Sequence, residues 1–433
     1  METLEATFKI ITPMFLGGAD QKPSDGIRPT TVKGALRFWW RALSWGKYRS
    51  GQGVDDESSL NEMHKDEARL FGLAAKLKNG RPIGGQGCFL LSVSQGVLST
   101  TSQNAIHQGF KPKNNDRSNQ GGNESQLAAA RYLGYGIVVP FTTRDSETGQ
   151  IQKRAGQLER GCLNENQQFT VRLIFRDKVE PSIESAVKVL GLFGGLGARS
   201  RHGMGSIALM SLKINDRESW TAPASESAYD NVVKELFSSS CPISSLTSEP
   251  PFTAFWDKSR VIRLLNKDNC YQALDSFGSA MLDYRSWGRS SKGNKLPSGK
   301  TSEQRFKDDH DWFQPPDGCR LPQDFHPERA VFGLPHNYDK DHHHVVPENH
   351  ERRASPLLFH VHPIGKQFIG VAIYLPAMFL PAGEGIKANG IDVPTNIQWH
   401  VLTDFIDGRV GDTITTPKPN APFRFPNKKQ VMP

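Results

Sequence analysis

The stretch that most constrains this chain is residues 194–206, GGLGARSRHGMGS, in which five glycines and two arginines stand between two apolar patterns. Upstream, Phe169, Val171, Leu173 and Phe175 alternate as a strand, and Ile183, Ala186, Val187, Leu190 and Phe193 recur at helical spacing behind a capping Ser182. Downstream, residues 207–214 continue as a strand. The glycines therefore follow a helix and precede a strand. A triphosphate loop needs Gly-Lys-Ser/Thr at a helix start, and a dinucleotide fingerprint runs strand, loop, helix, so both are excluded by the order of elements. Glycines after a helix can be caps and a tight turn. Arginines among them, with no acid between Glu184 and Asp216, point instead to backbone N–H groups and guanidinium groups meeting a polyanion.

A second acid-free segment lies near the N-terminus. Between Asp25 and Asp55 there is no carboxylate, while Arg28, Lys33, Arg37, Arg41, Lys47 and Arg49 all fall there. Thr30 or Thr31 caps a helix running to about Trp45, with Val32, Leu36, Trp39 and Leu43 as its buried stripe. Lys33, Arg37, Trp40 and Arg41 recur on the adjoining face at about one turn each, so cations and an indole point the same way. The bland reading of this face is a solvated cationic surface with both tryptophans in the core.

At 433 residues the chain is long enough for two domains, and its net charge of +8, with pI near 9.1, favours acidic partners. Five scattered cysteines, Cys88, Cys162, Cys241, Cys270 and Cys319, have neither disulfide-framework nor zinc spacing and fit a reducing compartment. With no apolar leader or membrane-length stretch, the expectation is a soluble, cytoplasmic protein.

Residues 4–11 form a first strand, 88–93 another, and the polar stretch 99–126 reads as a mobile insertion. A connector is expected over 216–250, with one short helix near 229–237. Beyond it, strands are expected at 261–265, 357–361 and 368–375, helices at 270–287 and 395–406, a polar tract at 289–305, and a basic proline-rich tail over 416–433. Short antiparallel-type strands mixed with helices in both halves indicate an α+β class, two ferredoxin-like split βαβ units spanning 1–215 and 251–415. In such units a sheet face or its loops meet RNA.

The glycine loop at 195–206 resembles that of the RAMP superfamily, whose members assemble CRISPR effectors around a guide RNA. More narrowly, ITPMFLGGAD at 11–20, KGALRFWWRAL at 33–43, LFG at 70–72 and RRASPLLF at 352–359 are similar to the first-named subunit family of the Cmr complex of type III-B systems. The resemblance implies a non-catalytic subunit without a cofactor that contacts the 3′ part of the guide RNA, helps capture single-stranded target RNA and docks on other RAMP subunits. It implies Lys33, Arg37, Trp40, Arg41, Gly195, Gly197, Arg199, Arg201, His202, Gly203, Gly205, Arg352 and Arg353 as RNA contacts, and Arg28 joins them from the acid-free segment. Two alternatives stand beside it. One is a metal-independent endoribonuclease with His202 as base, assisted by Tyr48 or Lys33 or, more remotely, Asp20 or Asp25. The other is a docking subunit with no RNA contact. The histidines at 336, 342, 343, 344, 350, 360 and 362 allow metal binding, but a polar loop plus His360 and His362 on one strand face is the simpler account.

Overall fold

A computed structural model describes residues 1–18, 22–49, 55–78, 81–111, 128–145, 147–240, 246–288, 293–296, 301–313, 326–337, 344–388, 390–408 and 428–432. The first unit opens with β1 (Glu2–Ile10), whose Leu4, Ala6, Phe8 and Ile10 are buried in strict alternation. Helices α1 (Pro29–Arg49) and α2 (Asp56–Phe71) follow, then β2 (Phe89–Gln95), the short α3 (Ala128–Leu133), β3 (Gln168–Phe175), α4 (Pro181–Phe193), β4 (Ile207–Ile214) and β5 (Arg217–Thr221). The antiparallel sheet has the order β5-β4-β1-β3-β2, with β1 central.

The second unit repeats the plan. Strand β6 (Arg260–Leu264) leads into α6 (Cys270–Arg285); β7 (Leu357–Ile364) and β8 (Gln367–Tyr374) form a hairpin; α8 (His400–Asp407) leads to β9 (Lys428–Met432). Their order, β7-β8-β6-β9, is again antiparallel throughout, with the first strand beside the third and fourth. Between α6 and β7, helix α7 (Lys307–Phe313) offers Asp309, whose carboxylate accepts the backbone N–H groups of Glu328 and Arg329.

Two cores explain how the units stack. One joins the inner face of the first sheet, α1 and α4 to Val261, Leu358, Val371 and Ile373 of the second sheet. The other joins the opposite face of that sheet, through Ile262, Phe359, Val361 and Ala372, to Phe277 of α6 and Phe405 of α8. The layers therefore run sheet, helices, sheet, helices. Strand β7 is buried on both faces, so LLFHVHPI does not alternate buried with exposed residues, and its two polar side chains, His360 and His362, are buried with the rest. The outer face of the first sheet carries Glu5, Thr7, Thr170 and Arg172 and no aromatic ring, so stacking of RNA on a sheet face has no platform there.

Several expectations are corrected. The connector holds β5, which extends the first sheet past residue 215, and α5 (Glu226–Glu235), whose Tyr229 is fully buried and donates to the Leu192 carbonyl at 3.0 Å. Arg263 of β6 grips Asp230 of α5 at 2.9 Å, so this stretch bonds the units together. The tail supplies β9, with Val431 and Met432 in the core. The stretch expected as a mobile insertion begins with β-pairing of Thr100–Thr101 and a fully buried Phe110; residues 112–127 lie outside the described residues. Ser182 does not cap α4. Pro181 occupies its first turn, and the Ser182 hydroxyl instead accepts the Trp40 indole N–H at 3.1 Å.

Candidate nucleic-acid interface

The glycine loop is a joint. Its ends close on each other, with Leu196 N–H on the Gly205 carbonyl at 2.9 Å, and its body rests on the segment after β1, where Ala198 and Gly205 donate to the carbonyls of Phe15 and Pro13, each at 2.9 Å. At Gly197 (φ +89°) a Cβ would stand 2.5 Å from the Phe15 carbonyl oxygen, and at Gly205 (φ +62°) 2.1 Å from that of Leu196. Gly195 packs on Gly205, and Gly203 on Leu274 of α6. All four glycines answer to close backbone packing rather than to an approaching polyanion. The second unit then clasps the loop: Phe359 N–H reaches the Arg201 carbonyl at 2.8 Å, Val361 N–H the Ser206 hydroxyl at 3.1 Å, and His360 Nδ1–H the Gly194 carbonyl at 2.9 Å.

The face of α1 is also altered by its surroundings. Trp40 is 1 % exposed and packs edge-on against Phe71, so it is a core residue and not a stacking platform. Helix α2 returns Glu67 to the cations. Arg41 holds it bidentately at 2.6 and 2.7 Å, and Arg37 sits 3.1 Å away while donating to the Gly72 carbonyl. Lys33 is half-buried and its pKa is lowered by burial and then by Arg37. Exposed Arg28 donates to the Gly17 carbonyl at 2.5 Å.

Arg199 differs from all of these. It occupies the left-handed region (φ +59°), unusual for a non-glycine residue, and accepts the His202 N–H at 2.8 Å, which projects its side chain from the turn. Its pKa is lowered by partial burial, then by Arg352 and less by Arg160, while Tyr132 and Tyr135 act in the opposite sense. Among the described residues none of Arg160, Arg199 and Arg352 has a carboxylate partner. The Arg160 Nε is buried without a hydrogen bond, and burial lowers its pKa. Tyr135 is 64 % exposed on the Gly134–Gly136 turn beside the Arg199 guanidinium. Arg160, Tyr132 and Tyr135 escaped sequence reasoning; the only signal was the YLGYG run at 132–136, an aromatic pair on a glycine turn.

Arg201 and Arg353 are half-buried cations that donate to carbonyls. Arg201 donates to Ser355 at 2.9 Å across the Phe38 ring, and Arg353 to Met378 at 3.2 Å beside Phe379. Burial, then Arg353, lowers the Arg201 pKa to about 10. His202 is half-buried, and burial followed by Arg199, Arg285 and Arg201 pushes its pKa to about 4. Its suggested helpers are elsewhere. Tyr48 donates to Asp66 at 2.6 Å, and fifteen residues of α1 separate it from Lys33 by about 22 Å. Asp25 sits in the turn before α1, and Asp20 lies outside the described residues.

The histidines are dispersed. His336 is buried 3.0 Å from Arg285, His350 pairs with Glu384, and His360 meets His362 at 3.3 Å in the core; His342 and His343 lie outside the described residues. No group of three or more metal-ligating side chains occurs among the described residues, and no described helix is long and apolar enough to cross a membrane.

Comparison with known proteins adds a family. Residues 7–208 match the family model of the RAMP superfamily. The structure of Cmr1 from Pyrococcus furiosus in its apo form aligns with 100% of this chain and 99% of its own at a TM-score of 0.50 and 16% identity. A chain of the type III-B Cmr-beta complex bound to cognate target RNA aligns over 93% and 98% at 0.48 and 12%. No curated protein matches.

Proposed function

From the match of residues 7–208 to the RAMP superfamily we propose that this chain is a non-catalytic RNA-binding subunit of a type III-B CRISPR effector. In this reading its two units are ferredoxin-like domains, its partners are other RAMP subunits, and it holds the 3′ part of the guide RNA while helping to capture complementary target RNA. The observation that carries it is the cationic surroundings of Arg199, on which Arg352 and Arg160 act electrostatically and to which no carboxylate comes among the described residues, beside the exposed ring of Tyr135. Unpaired guanidinium groups on a rigid joint fit phosphates, and a ring next to them fits a splayed base. Sequence preference should be slight, because such contacts read backbone and π-faces rather than base edges.

Cleavage is the weaker reading. Removing a 2′-OH proton and protonating the leaving 5′ oxygen takes two groups within hydrogen-bond reach of the reacting atoms. His202 has three arginines as its charged neighbours, and Tyr48 and Lys33 lie on distant parts of α1. Anisotropy of labelled single-stranded RNA against duplex DNA, with the RNA then run on a denaturing gel, tests both. Salt-sensitive binding of uncut RNA is expected. Cutting that disappears in His202→Ala would replace this reading with the nuclease.

A further inference from the structure

Between α1 and the glycine loop lies a cleft of about 230 Å³. Its apolar walls are Phe38, Trp39, Phe193 and Leu358, the last contributed by β7 of the second unit, and Ser200 and Arg201 lie along its polar side. Such a volume is smaller than the roughly 300–1,000 Å³ that drug-sized ligands occupy, and suits a single ring system. Two details of construction favour a planar, partly polar occupant. Gly194 lacks a Cβ where one would stand 2.7 Å from Trp39 Nε1, and among the described residues that indole N–H has no acceptor. Arg201, 5.1 Å from the Phe38 centroid, has only the Ser355 carbonyl as hydrogen-bond partner among the described residues. The cleft thus offers rings, an unused N–H donor and a cation, with no carboxylate on its lining. Its polar side adjoins Arg199 along the chain, since Ser200 and Arg201 follow it directly.

We infer that this cleft receives one unstacked nucleobase of a single-stranded RNA whose flanking phosphates lie on Arg199 and Arg352. The inference rests on the RNA-binding reading and adds a defined base site to it. Stacking is tolerant of base identity, whereas the indole N–H asks for an acceptor edge, so any preference should be for bases offering a carbonyl or ring nitrogen there.

The test uses the full chain and a series of end-labelled oligoribonucleotides, each with one abasic position, with affinity measured across a range of salt. Ala35→Leu fills the cleft from α1 with a good helix former, and Phe38→Leu removes its ring, so an overpacked first variant does not decide the result. Expected for the wild-type chain is a loss of about tenfold at one abasic position and little elsewhere. Each variant should bind the intact RNA about tenfold more weakly, ignore that abasic position, and keep the wild-type salt slope, since no phosphate contact is removed. Wild-type affinity in both variants, or no abasic sensitivity anywhere, overturns the base site and leaves RNA binding standing. No RNA binding by the wild-type chain overturns both.

Discussion

The two basic surfaces of this molecule look alike as strings and differ as structures. Along α1, Arg37 and Arg41 close on Glu67, whose side chain is 5 % exposed, and Trp40 turns inward to Phe71 and Ser182. At the glycine loop, Arg199 feels the charges of Arg352 and Arg160 with no carboxylate partner among the described residues, and Tyr135 stays in solvent. A basic run becomes an anion site only where the fold brings no acid to it, and that is decided by segments distant in the chain.

The largest expected difference concerns Trp40. Trp40→Ala should cost about 3–5 kcal/mol of stability, read from urea unfolding, with RNA affinity of the folded protein unchanged. An affinity loss with unaltered stability would return Trp40 to the interface. Glu67→Gln comes next. It takes a charge partner from two half-exposed arginines and should lower stability by about 1–3 kcal/mol, while freeing them to raise RNA affinity slightly. Tyr135→Ala should leave the melting temperature alone and cost about 1–3 kcal/mol of binding if its ring stacks on a base; equal affinity would remove it from the site.

How far these contrasts were legible follows from the range of the contacts. Strands β1 and β3 could be read from periodicity because each buries one face, whereas α4, buried nearly all round, and β4, whose Ile207, Ala208 and Leu209 are all buried, showed as apolar runs. The double burial of β7 showed only as an apolar run interrupted by His360 and His362, and β9 has no pattern of its own because it is an edge strand completed by β6. At the site, Arg199 and Arg352 stood out by charge. The pairing of Glu67 with Arg41, 26 residues earlier, and the arrival of Arg160 and Tyr135 at Arg199 are tertiary events with no local signature. The glycines carry no local signal either, since a Cβ-free backbone serves a neighbouring carbonyl as well as a phosphate.

A pH series probes the joint itself. Buried His360 donates to the Gly194 carbonyl, and burial pushes its pKa to about 3, against about 6.5 in an unfolded chain. Between those values the unfolded chain binds the proton and the native one does not. Stability should therefore be level above pH 6.5 and fall toward pH 3, with this residue contributing at most about 1.4 kcal/mol per pH unit. His360→Gln should flatten the fall in urea midpoints collected across that range; an unchanged profile would locate the acid sensitivity elsewhere.

The contrast between the two surfaces is tested most directly by the salt dependence of RNA affinity in two double variants. For Arg199→Ala with Arg352→Ala, the log–log slope against single-stranded RNA should shrink by about 1.4, near 0.7 for each phosphate contact removed. For Arg37→Gln with Arg41→Gln it should stay at the wild-type value. The reverse, a slope lost along α1 and kept at the glycine loop, would contradict the account and move the RNA to the helix.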